Sequence, residues 1–522
     1  ESRESRVESR ESRVESRESR GECTAVNEMP DSRLATPDSR LVLDRRRAGI
    51  LLHPTSLPGE GGNGTLGPHA LRFVDFLAES GLSVWQMLPL GPTHADRSPY
   101  QCLSVHAGNP RLISFAQLEA WGWLPPAAGP PPAHGAARQA LLAQARQIFL
   151  AQGGARDMEA FDAAHAFWLD DYALYVALRQ AHDHRAWWQW PEPLRDRDPA
   201  ALDAARLRHA EDMALVRFEQ LIFFRQWREL RQAAQARGVQ LFGDLPIFVA
   251  HDSADVWAQR EYFDLDAAGQ PRAVAGVPPD YFSQTGQRWG NPLYNWTRLQ
   301  ADGFRWWIER LRTQFGLFDL VRIDHFRGFE ACWQIPADED TAINGRWVPA
   351  PGEALFQTLQ NEFGTLPVVA EDLGLITPAV HRLREQFGLP GMRILQFAFD
   401  GGADNPYLPH NHETNSVVYT GTHDNDATLA WFESLPADRQ YVVLDYLGHP
   451  GESMPWPLIR AALASVARLA ILPMQDALQA GAGHRMNMPG SNIGNWQWRF
   501  DWGDVPTGLT DRLRHLLRVY GR

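Results

Sequence analysis

The sequence predicts an α/β protein whose core is a closed (β/α)8 barrel of the TIM type. Eight short apolar runs recur along the chain, and each ends in a polar or turn residue. Most of these runs are followed by a stretch with the amphipathic spacing of a helix. Near-continuous apolar strands are typical of parallel sheets that are covered on both faces, and eight such units favour a closed barrel. The runs are 49–56, 83–92, 239–249, 318–328, 366–374, 391–400, 416–425 and 469–478.

The first residues of the chain do not share this pattern. Residues 1–20 repeat Glu-Ser-Arg with interposed Val, a charged low-complexity pattern that cannot bury an apolar face. We therefore expect residues 1–48 to be a low-complexity or disordered extension, with Met29 a plausible natural initiator. Residues 49–522 are expected to form the barrel, and the chain beyond its eighth run is too short for an additional C-terminal β-sandwich.

Two long connections interrupt the alternation of strand and helix. Residues from about 111 to 235 are rich in Ala, Trp and Arg at helical spacing, which predicts a helical insertion between the second and third strands. Residues from about 255 to 300 carry Gly, Pro and aromatic side chains, which favours a loop insertion. Because loops on a barrel commonly carry the binding residues, we expect this second insertion to form a wall of a cleft.

Composition restricts the partners and the compartment. The chain has 50 basic and 63 acidic residues, a formal charge of −13, which favours a neutral substrate over nucleic acid or an anionic membrane surface. Its three cysteines are widely spaced and odd in number, so neither a disulfide framework nor a zinc site is predicted. No apolar run has the length of a membrane span and no signal-peptide pattern is present, so we expect a cytoplasmic protein.

The chain contains no lysine, so arginine supplies all of its Lys/Arg charge. Schiff-base aldolases, pyridoxal-phosphate enzymes and P-loop nucleotidases each need a lysine amine in a fixed place. Arginine cannot replace it, because the guanidinium group is not deprotonated in proteins. These three classes of enzyme are therefore excluded.

Three acidic residues follow apolar strands at positions where a barrel carries its active site. Asp324, Glu371 and Asp424 lie in the fourth, fifth and seventh runs. A retaining glycosidase needs an ionised nucleophile and a protonated acid about 5 to 5.5 Å apart, and Asp324 and Glu371 suit these two roles. The side-chain period of two places Arg322 on the same face of the strand as Asp324, so we expect the arginine to keep this carboxyl group ionised at neutral pH.

Two other interpretations of these acids remain open from the residues alone. A single Asp or Glu after a strand is often a helix N-cap or a surface charge, although three in barrel units close together weaken that interpretation. His325 and His423 flank the acids, which is also compatible with a divalent metal site of the enolase kind. Arg322 would repel such a cation, and the lysine base common in those enzymes is missing.

Aromatic side chains in loops are candidates for sugar binding. The chain has 20 tryptophans, and several lie in loops that also contain Gly and Pro. Because a flat ring can cover the apolar face of a pyranose, we single out Tyr100, Tyr281, Phe282 and Trp289. Ordinary core packing is the competing interpretation for each of them.

Together these motifs resemble those of the 4-alpha-glucanotransferases, the amylomaltase or disproportionating-enzyme family. The resemblance covers essentially everything after residue 48. It rests on the stretches ILLHPTSLPG, SPYQ, GDLPIFVAHDSADVWA, GVPPDYFSQTGQRWGNPLY, VRIDHFRGFE, VAEDLG, GLPGMRILQFAF, YTGTHDN, SVARLAILPMQD and NWQWR. The sequence departs from the family pattern at Cys332, where Tyr is usual, and at Cys102 and Leu103, where Ser-Phe is usual; these changes affect the expected subsite packing and acceptor preference.

The resemblance implies an enzyme that moves α-1,4-glucan segments between maltooligosaccharides or chains derived from starch or glycogen. It implies that Asp324 is the nucleophile, Glu371 the general acid/base and Asp424 the acid that stabilises the transition state, with no metal or organic cofactor. Further residues are implied to assist these acids or to line the sugar subsites: Arg322, His423, His325, Asp244, Tyr100, Trp289, Asn291, Tyr281 and Phe282. An α-glucan hydrolase with the same acids is the alternative function, and a catalytically silent glycan-binding protein is another.

Overall fold

The computed structural model describes residues 43–59, 61–127, 129–280 and 283–522. Residues 1–42 of the expected N-terminal extension lie outside these ranges, as do Tyr281 and Phe282. The first barrel strand begins at Arg47, because Arg47 and Ala48 already pair with residues of the last strand. β1 therefore includes the last two residues of the range expected to form the extension.

Eight parallel strands form a sheet that closes almost completely into the predicted barrel, and each of the eight apolar runs overlaps one of them. The strands of the described residues are β1 (Arg47–Leu51), β2 (Val84–Gln86), β3 (Gln240–Pro246), β4 (Ala273–Val277), β5 (Gln287–Pro292), β6 (Leu320–Asp324), β7 (Ala331–Pro336), β8 (Arg346–Pro349), β9 (Val368–Ala370), β10 (Gly391–Ile394), β11 (Ser416–Tyr419) and β12 (Leu469–Pro473). The barrel order is β1-β2-β3-β6-β9-β10-β11-β12, and β12 pairs with β1.

Helices separate most of these strands and cover the outside of the sheet. The α-helices of the described residues are α1 (Pro68–Glu79), α2 (Phe115–Ala120), α3 (Gly135–Ala151), α4 (Ala155–Ala164), α5 (Leu169–Ala181), α6 (Glu192–Arg195), α7 (Pro199–Arg208), α8 (Ala210–Ala236), α9 (Ala254–Ala258), α10 (Trp296–Ala301), α11 (Arg305–Leu317), α12 (Gly352–Phe363), α13 (Pro378–Gln386), α14 (Thr428–Ser434), α15 (Ala437–Tyr446), α16 (Trp456–Ala464), α17 (Met474–Ala477) and α18 (Leu509–Val519). Short 3-10 helices lie at Pro54–Ser56, Pro110–Leu112, Trp187–Gln189, Arg260–Tyr262, Phe326–Phe329, Leu395–Phe397, Pro409–Asn411 and Trp502–Asp504. Within the ranges that the structure describes, no helix is both long and apolar enough to cross a bilayer.

The two faces of the barrel strands bury different apolar layers. Leu320 packs in the barrel interior with side chains such as Phe242 and Val369. Val321 and Ile323 belong instead to the layer between the sheet and the helices. This alternation is the one expected from the side-chain period of two, and it leaves Asp324 on the interior face at the carboxyl end of β6.

The connection between β2 and β3 is helical, as the sequence predicts, and contains α2 to α8. The 27-residue helix α8 runs along the barrel and buries ten of its residues. The indole N–H of Trp227, on α8, donates to the carbonyl of Leu317 at 3.0 Å, so this helix is tied to the end of α11 just before β6.

The second insertion contains a sheet that the sequence did not predict. β4 and β5 form an antiparallel hairpin, and β4 also pairs with β7, which pairs with β8. The resulting order is β5-β4-β7-β8, so β6 lies in sequence between the two halves of this four-stranded sheet. The sheet therefore connects to both ends of the barrel strand that carries Asp324.

Arginines close the amino end of the barrel, where β1 and β12 begin. The Arg522 guanidinium donates to the carbonyls of Arg47 at 2.8 Å and of Ser465 at 2.9 Å. Arg46 donates to the same Ser465 carbonyl at 2.6 Å and to that of Leu463 at 2.9 Å. These side chains satisfy main-chain acceptors at the end of α16, which a helix leaves without intrahelical partners.

Candidate active site

The three predicted acids all lie at the carboxyl end of the barrel. Asp324 is the last residue of β6, Glu371 directly follows β9, and Asp424 lies in the loop after β11. This is the face where barrel enzymes carry their catalytic residues.

Arg322 is the centre of a continuous polar network in this face. Its Nη1 lies 2.8 and 2.9 Å from the two carboxylate oxygens of Asp244, and its Nη2 lies 3.0 Å from Oδ1 of Asp324. The Tyr100 hydroxyl also donates to Oδ2 of Asp244, at 2.6 Å. The Tyr100 ring in turn stacks on His423, with ring centres 5.2 Å apart.

His423 extends the network to the third acid. Its Nε2 lies 3.3 Å from Oδ1 of Asp424, which also accepts a hydrogen bond from the side-chain amide of Asn487 at 2.7 Å. Asp324 and Asp424 are therefore linked through four intervening side chains, those of Arg322, Asp244, Tyr100 and His423.

Peptide groups bind the Glu371 carboxylate and connect it to the end of β6. The N–H groups of His325 and Leu373 each donate to it at 2.8 Å. Its own peptide N–H donates to the Ile323 carbonyl at 3.0 Å. Because His325 directly follows Asp324, these contacts bring the second acid next to the first.

The electrostatics of Asp324 differ from the sequence-based expectation. Burial raises the pKa of Asp324 from its usual 3.8 to about 8; Arg322 opposes this rise, and the nearby carboxylates of Asp244, Glu371 and Asp424 add to it. The expectation that Arg322 would keep Asp324 ionised at neutral pH is wrong in the direction of the pKa shift, because burial and like charges outweigh one arginine. Burial also raises the pKa of Glu371, against the opposing effect of Arg322.

The histidines of the site are neutral near pH 7. Burial lowers the pKa of His325 to about 3, and it lowers the pKa of His423 as well. His325 is in the left-handed backbone region and presents an edge to the Trp289 ring at 4.7 Å. Its buried Nε2 has no hydrogen-bond partner among the described residues, so this nitrogen is available to a ligand.

The structure gives the remaining predicted subsite residues different surroundings. Trp289, on β5, is partly exposed beside His325. Asn291 is buried, and its amide donates to the Val249 carbonyl at 2.9 Å and exchanges hydrogen bonds with Gln101. Asn291 therefore holds the loop after β3 in place, and its contact with sugar stays a prediction.

Sequence reasoning missed the residues that the segment after β12 contributes. Asn487 binds Asp424, and Arg485 donates to the Asp424 carbonyl at 2.7 Å. The Trp496 ring lies 5.8 Å from Tyr100 and 6.0 Å from His423. The NWQWR motif that contains Trp496 was the available signal, but it did not indicate which acid this segment would reach.

The described ranges contain no group of three or more His, Cys, Asp or Glu side chains that could hold a metal ion. The Arg322 guanidinium occupies the position between Asp244 and Asp324.

The two cysteines that depart from the family pattern pack within the protein. Cys332 is buried. The Cys102 thiol donates to the Pro99 carbonyl at 3.0 Å, and burial raises its pKa to about 12.

Comparisons with known proteins agree with this fold and identify the family. The sequence profile of the 4-alpha-glucanotransferase family, glycoside hydrolase family 77, matches residues 52–504. The 4-alpha-glucanotransferase of Thermus thermophilus is 50% identical over 496 residues, which cover 91% of this chain and 99% of that protein. The 4-alpha-glucanotransferase of Synechocystis is 48% identical over 499 residues, which cover 92% and 99%. The amylomaltase from Streptococcus agalactiae, solved in complex with acarbose, superposes with a TM-score of 0.89 at 37% identity and covers 92% of this chain and 100% of its own. The chain therefore belongs to the 4-alpha-glucanotransferase family.

Proposed function

We propose that the chain transfers α-1,4-glucan segments by double displacement through a covalent glycosyl-Asp324. Glu371 donates its proton to the glycosidic oxygen while Asp324 attacks the anomeric carbon, so the reducing-end fragment leaves. The 4-hydroxyl of an acceptor glucan then attacks the same carbon and breaks the bond to Asp324. Glu371, now a carboxylate, takes the proton of that hydroxyl, and the two inversions retain the α configuration.

The observation that carries this assignment is the direct ion pair between Arg322 and Asp324. Because the two carboxyl groups interact, one proton taken up by the pair is distributed between them. Arg322 lies 3.0 Å from Asp324, whereas the donors that bind Glu371 are neutral peptide groups. Of the forms in which the pair holds one proton, the reactive one has that proton on Glu371, and the ion pair with Arg322 stabilises the ionised Asp324 of this form. Asp324 is half-buried whereas Glu371 is buried, which supports the same division of roles.

Asp424 and the neighbouring polar groups are assigned to the transition state. An oxocarbenium-like centre carries positive charge, which a nearby carboxylate stabilises. Arg322 and His423 hold Asp324 and Asp424 in place. Tyr100, Asp244, His325 and Trp289 are assigned to the donor and acceptor subsites, and we extend this proposal to Asn291, Tyr281 and Phe282.

The substrates follow from the chemistry of these groups and from the acarbose complex of the Streptococcus agalactiae relative. We assign α-1,4-linked maltooligosaccharides as both donors and acceptors. Neutral histidines and aromatic rings suit an uncharged pyranose, since the rings can cover its apolar face and Nε2 of His325 can bond a hydroxyl.

Trapping of the intermediate tests the nucleophile. An α-maltotriosyl fluoride donor needs no acid for departure of fluoride, so Glu371→Gln should form the glycosyl-enzyme and then hydrolyse it slowly for want of a base. Mass spectrometry of the digested protein should find the added maltotriosyl mass on the peptide that contains Asp324. The matched control is the double variant with Asp324→Asn, which should carry no adduct. An adduct on any other carboxylate would refute the assignment.

Product analysis separates transfer from hydrolysis. Maltotriose alone should give longer oligosaccharides together with maltose or glucose, because an acceptor sugar captures the intermediate. Shorter sugars without longer ones would instead establish the hydrolase. Asp438→Asn, at an exposed position on α15, is the control for a change of charge remote from the site and should give the parental product pattern.

A further inference from the structure

The seam of the barrel lies directly beside Glu371. β9 and β10 are the two end strands of the paired series, so the sheet closes between them. A peptide hydrogen bond from Ala370 to the Pro390 carbonyl, at 2.8 Å, joins the two strands. Asp372 lies two residues after Ala370, and Met392 lies two residues after Pro390. Neither has a role in the chemistry described so far.

The side chain of Asp372 forms a second connection across this seam. Its Oδ1 accepts the peptide N–H of Met392, on β10, at 2.8 Å. Its Oδ2 lies 3.4 Å from a guanidinium nitrogen of Arg393 and 3.5 Å from one of Arg384. The Asp372 side chain is only 1% exposed, so this carboxylate is enclosed between two strands and two arginines.

The seam leaves no room for a side chain at Gly391 beside this carboxylate. A Cβ atom at Gly391 would lie 2.3 Å from Oδ2 of Asp372. Arg393 and Arg384 are themselves anchored, since they donate to the carbonyls of Met392 and Leu389 at 2.8 and 2.9 Å. The position of Asp372 is therefore fixed from the β10 side.

Asp372 lies in the chain between Glu371 and Leu373, one of the two residues whose peptide N–H binds the Glu371 carboxylate. Fixing Asp372 consequently fixes the direction of one of the two peptide donors that orient the carboxyl group of Glu371. A shift of Asp372 would change both the place and the hydrogen bonding of that group.

We propose that Asp372 is a positioning residue for the general acid/base: its carboxylate clamps β9 to β10 and so aims Glu371 at the glycosidic bond. The inference rests on the proposed role of Glu371 and adds a residue to it. Asp372 touches neither substrate nor reacting atoms, and it acts through the Leu373 peptide and through its own negative charge.

Asp372→Asn tests this role because it keeps an oxygen that can accept the Met392 N–H but removes the charge. Misplacement of Glu371 should lower kcat between about tenfold and a hundredfold, while KM for maltotriose changes by less than about twofold. The charged or titratable groups that act on Glu371 are Arg322, Asp324, Asp372 and Tyr407. Loss of the Asp372 charge removes one influence that raises the pKa of Glu371, so the basic limb of the kcat profile should move to lower pH.

The matched control is Asp319→Asn. Asp319 also joins neighbouring barrel strands, since it accepts the Leu241 N–H at 2.8 Å and pairs with Arg231 at 3.1 Å, but it lies at the amino end. This variant should lose stability without moving the basic limb. The inference would be overturned if the D372N enzyme kept the basic limb of its kcat profile at the parental pH and lost no more kcat than D319N.

Two further variants keep the result decisive. Gly391→Ala retains the charge of Asp372 but places a methyl group against its Oδ2, so it should lower kcat with little change in KM. A folded G391A enzyme with the parental kcat would contradict the clamp. This test holds even if D372N fails to fold. Glu371→Gln tests the underlying function separately. If E371Q retained parental activity, the proposed function would fail, whereas an inactive E371Q with an unaltered D372N profile would reject the clamp alone.

Discussion

The two ends of the barrel use charge in opposite ways. At the amino end, Arg46 and Arg522 donate to main-chain carbonyls at the end of α16 and the start of β1. At the carboxyl end, the single guanidinium of Arg322 lies between Asp244 and Asp324, and the network continues to two further acids. Burial lowers the pKa of Arg522 to about 9 at one end and raises that of Asp324 to about 8 at the other.

This difference separates stability from catalysis within one sheet. Arginine forks at the amino end satisfy backbone acceptors that would otherwise be buried without partners. The carboxyl end brings Asp244, Glu371 and Asp424 near Asp324, and these like charges oppose folding. Under the proposed mechanism the same charges stabilise a positively charged transition state. Substitutions at the two ends should consequently affect different observables.

The largest effect is expected for Asp324→Asn. The variant lacks the proposed nucleophile, so kcat for maltotriose disproportionation should fall by about 10⁴-fold or more. Its free energy of unfolding at pH 8 should not fall, because the substitution removes a buried acid from a cluster of like charges. Product chromatography and denaturant titration measure the two quantities. A variant that lost stability and kept its activity would contradict the assignment of catalysis to the carboxyl end of the barrel.

Arg522→Ala should produce the complementary result. Several carbonyls lose their donor, so the free energy of unfolding should fall by about 2 to 3 kcal/mol. The value of kcat per folded molecule should stay at the parental level, since Arg522 lies at the opposite end from the acids. Arg518→Ala, which removes an exposed arginine from α18, is the control and should change stability by less than about 0.5 kcal/mol.

Asn487→Ala should have an intermediate effect on the active end. Asp424 loses the amide donor that lies 2.7 Å from its Oδ1, so its carboxylate is less firmly held toward the anomeric centre. A hydrogen bond to a charged group of this kind corresponds to a decrease of about tenfold in kcat. Steady-state kinetics with maltotriose measure it, with Asn361→Ala on α12 as the control for loss of a surface amide. Equal kcat values for both variants would show that Asp424 does not depend on this contact.

The smallest expected effect is on the pH dependence of stability. The folded-state pKa of Asp324 is raised from 3.8 to about 8, so between these values the folded protein binds more protons at this site than the unfolded chain does. Its contribution to the free energy of unfolding therefore decreases as pH rises through this interval. Asp324→Asn removes that contribution, so denaturant titrations from pH 5 to about 8.5 should give a flatter profile than the parent. Parallel profiles would contradict the raised pKa.

Local pattern was sufficient to predict the barrel but not everything attached to it. The eight strands could be found because each is a short apolar run, and the alternation of Leu320 and Val321 between two layers follows from strand geometry. The sheet of β4, β5, β7 and β8 was missed because its pairing spans β6 and no local pattern records such a partner. The pKa of Asp324 was predicted in the wrong direction because its neighbours Asp244 and Asp424 come from other barrel units.

The sequence was sufficient to place the three acids, but not the residues that contact them and their neighbours. Asp324, Glu371 and Asp424 each lie at or just after the carboxyl end of a recognisable strand, so the fold brings them to one face. Asn487 and Trp496 come from a segment with neither helical nor strand periodicity, and only the folded chain reveals that they reach Asp424 and Tyr100.

Because β1 pairs with β12, the barrel of a newly made chain can close only after β12 has been synthesised. Arg47 pairs with Leu469, so one edge of the apolar strand β1 stays unpaired until nearly the whole protein has been synthesised. An open strand edge is a template for association with other chains, and contacts between such distant residues form slowly. Ribosome-bound chains that stop short of Leu469 should therefore be the species most dependent on chaperones and most prone to aggregate.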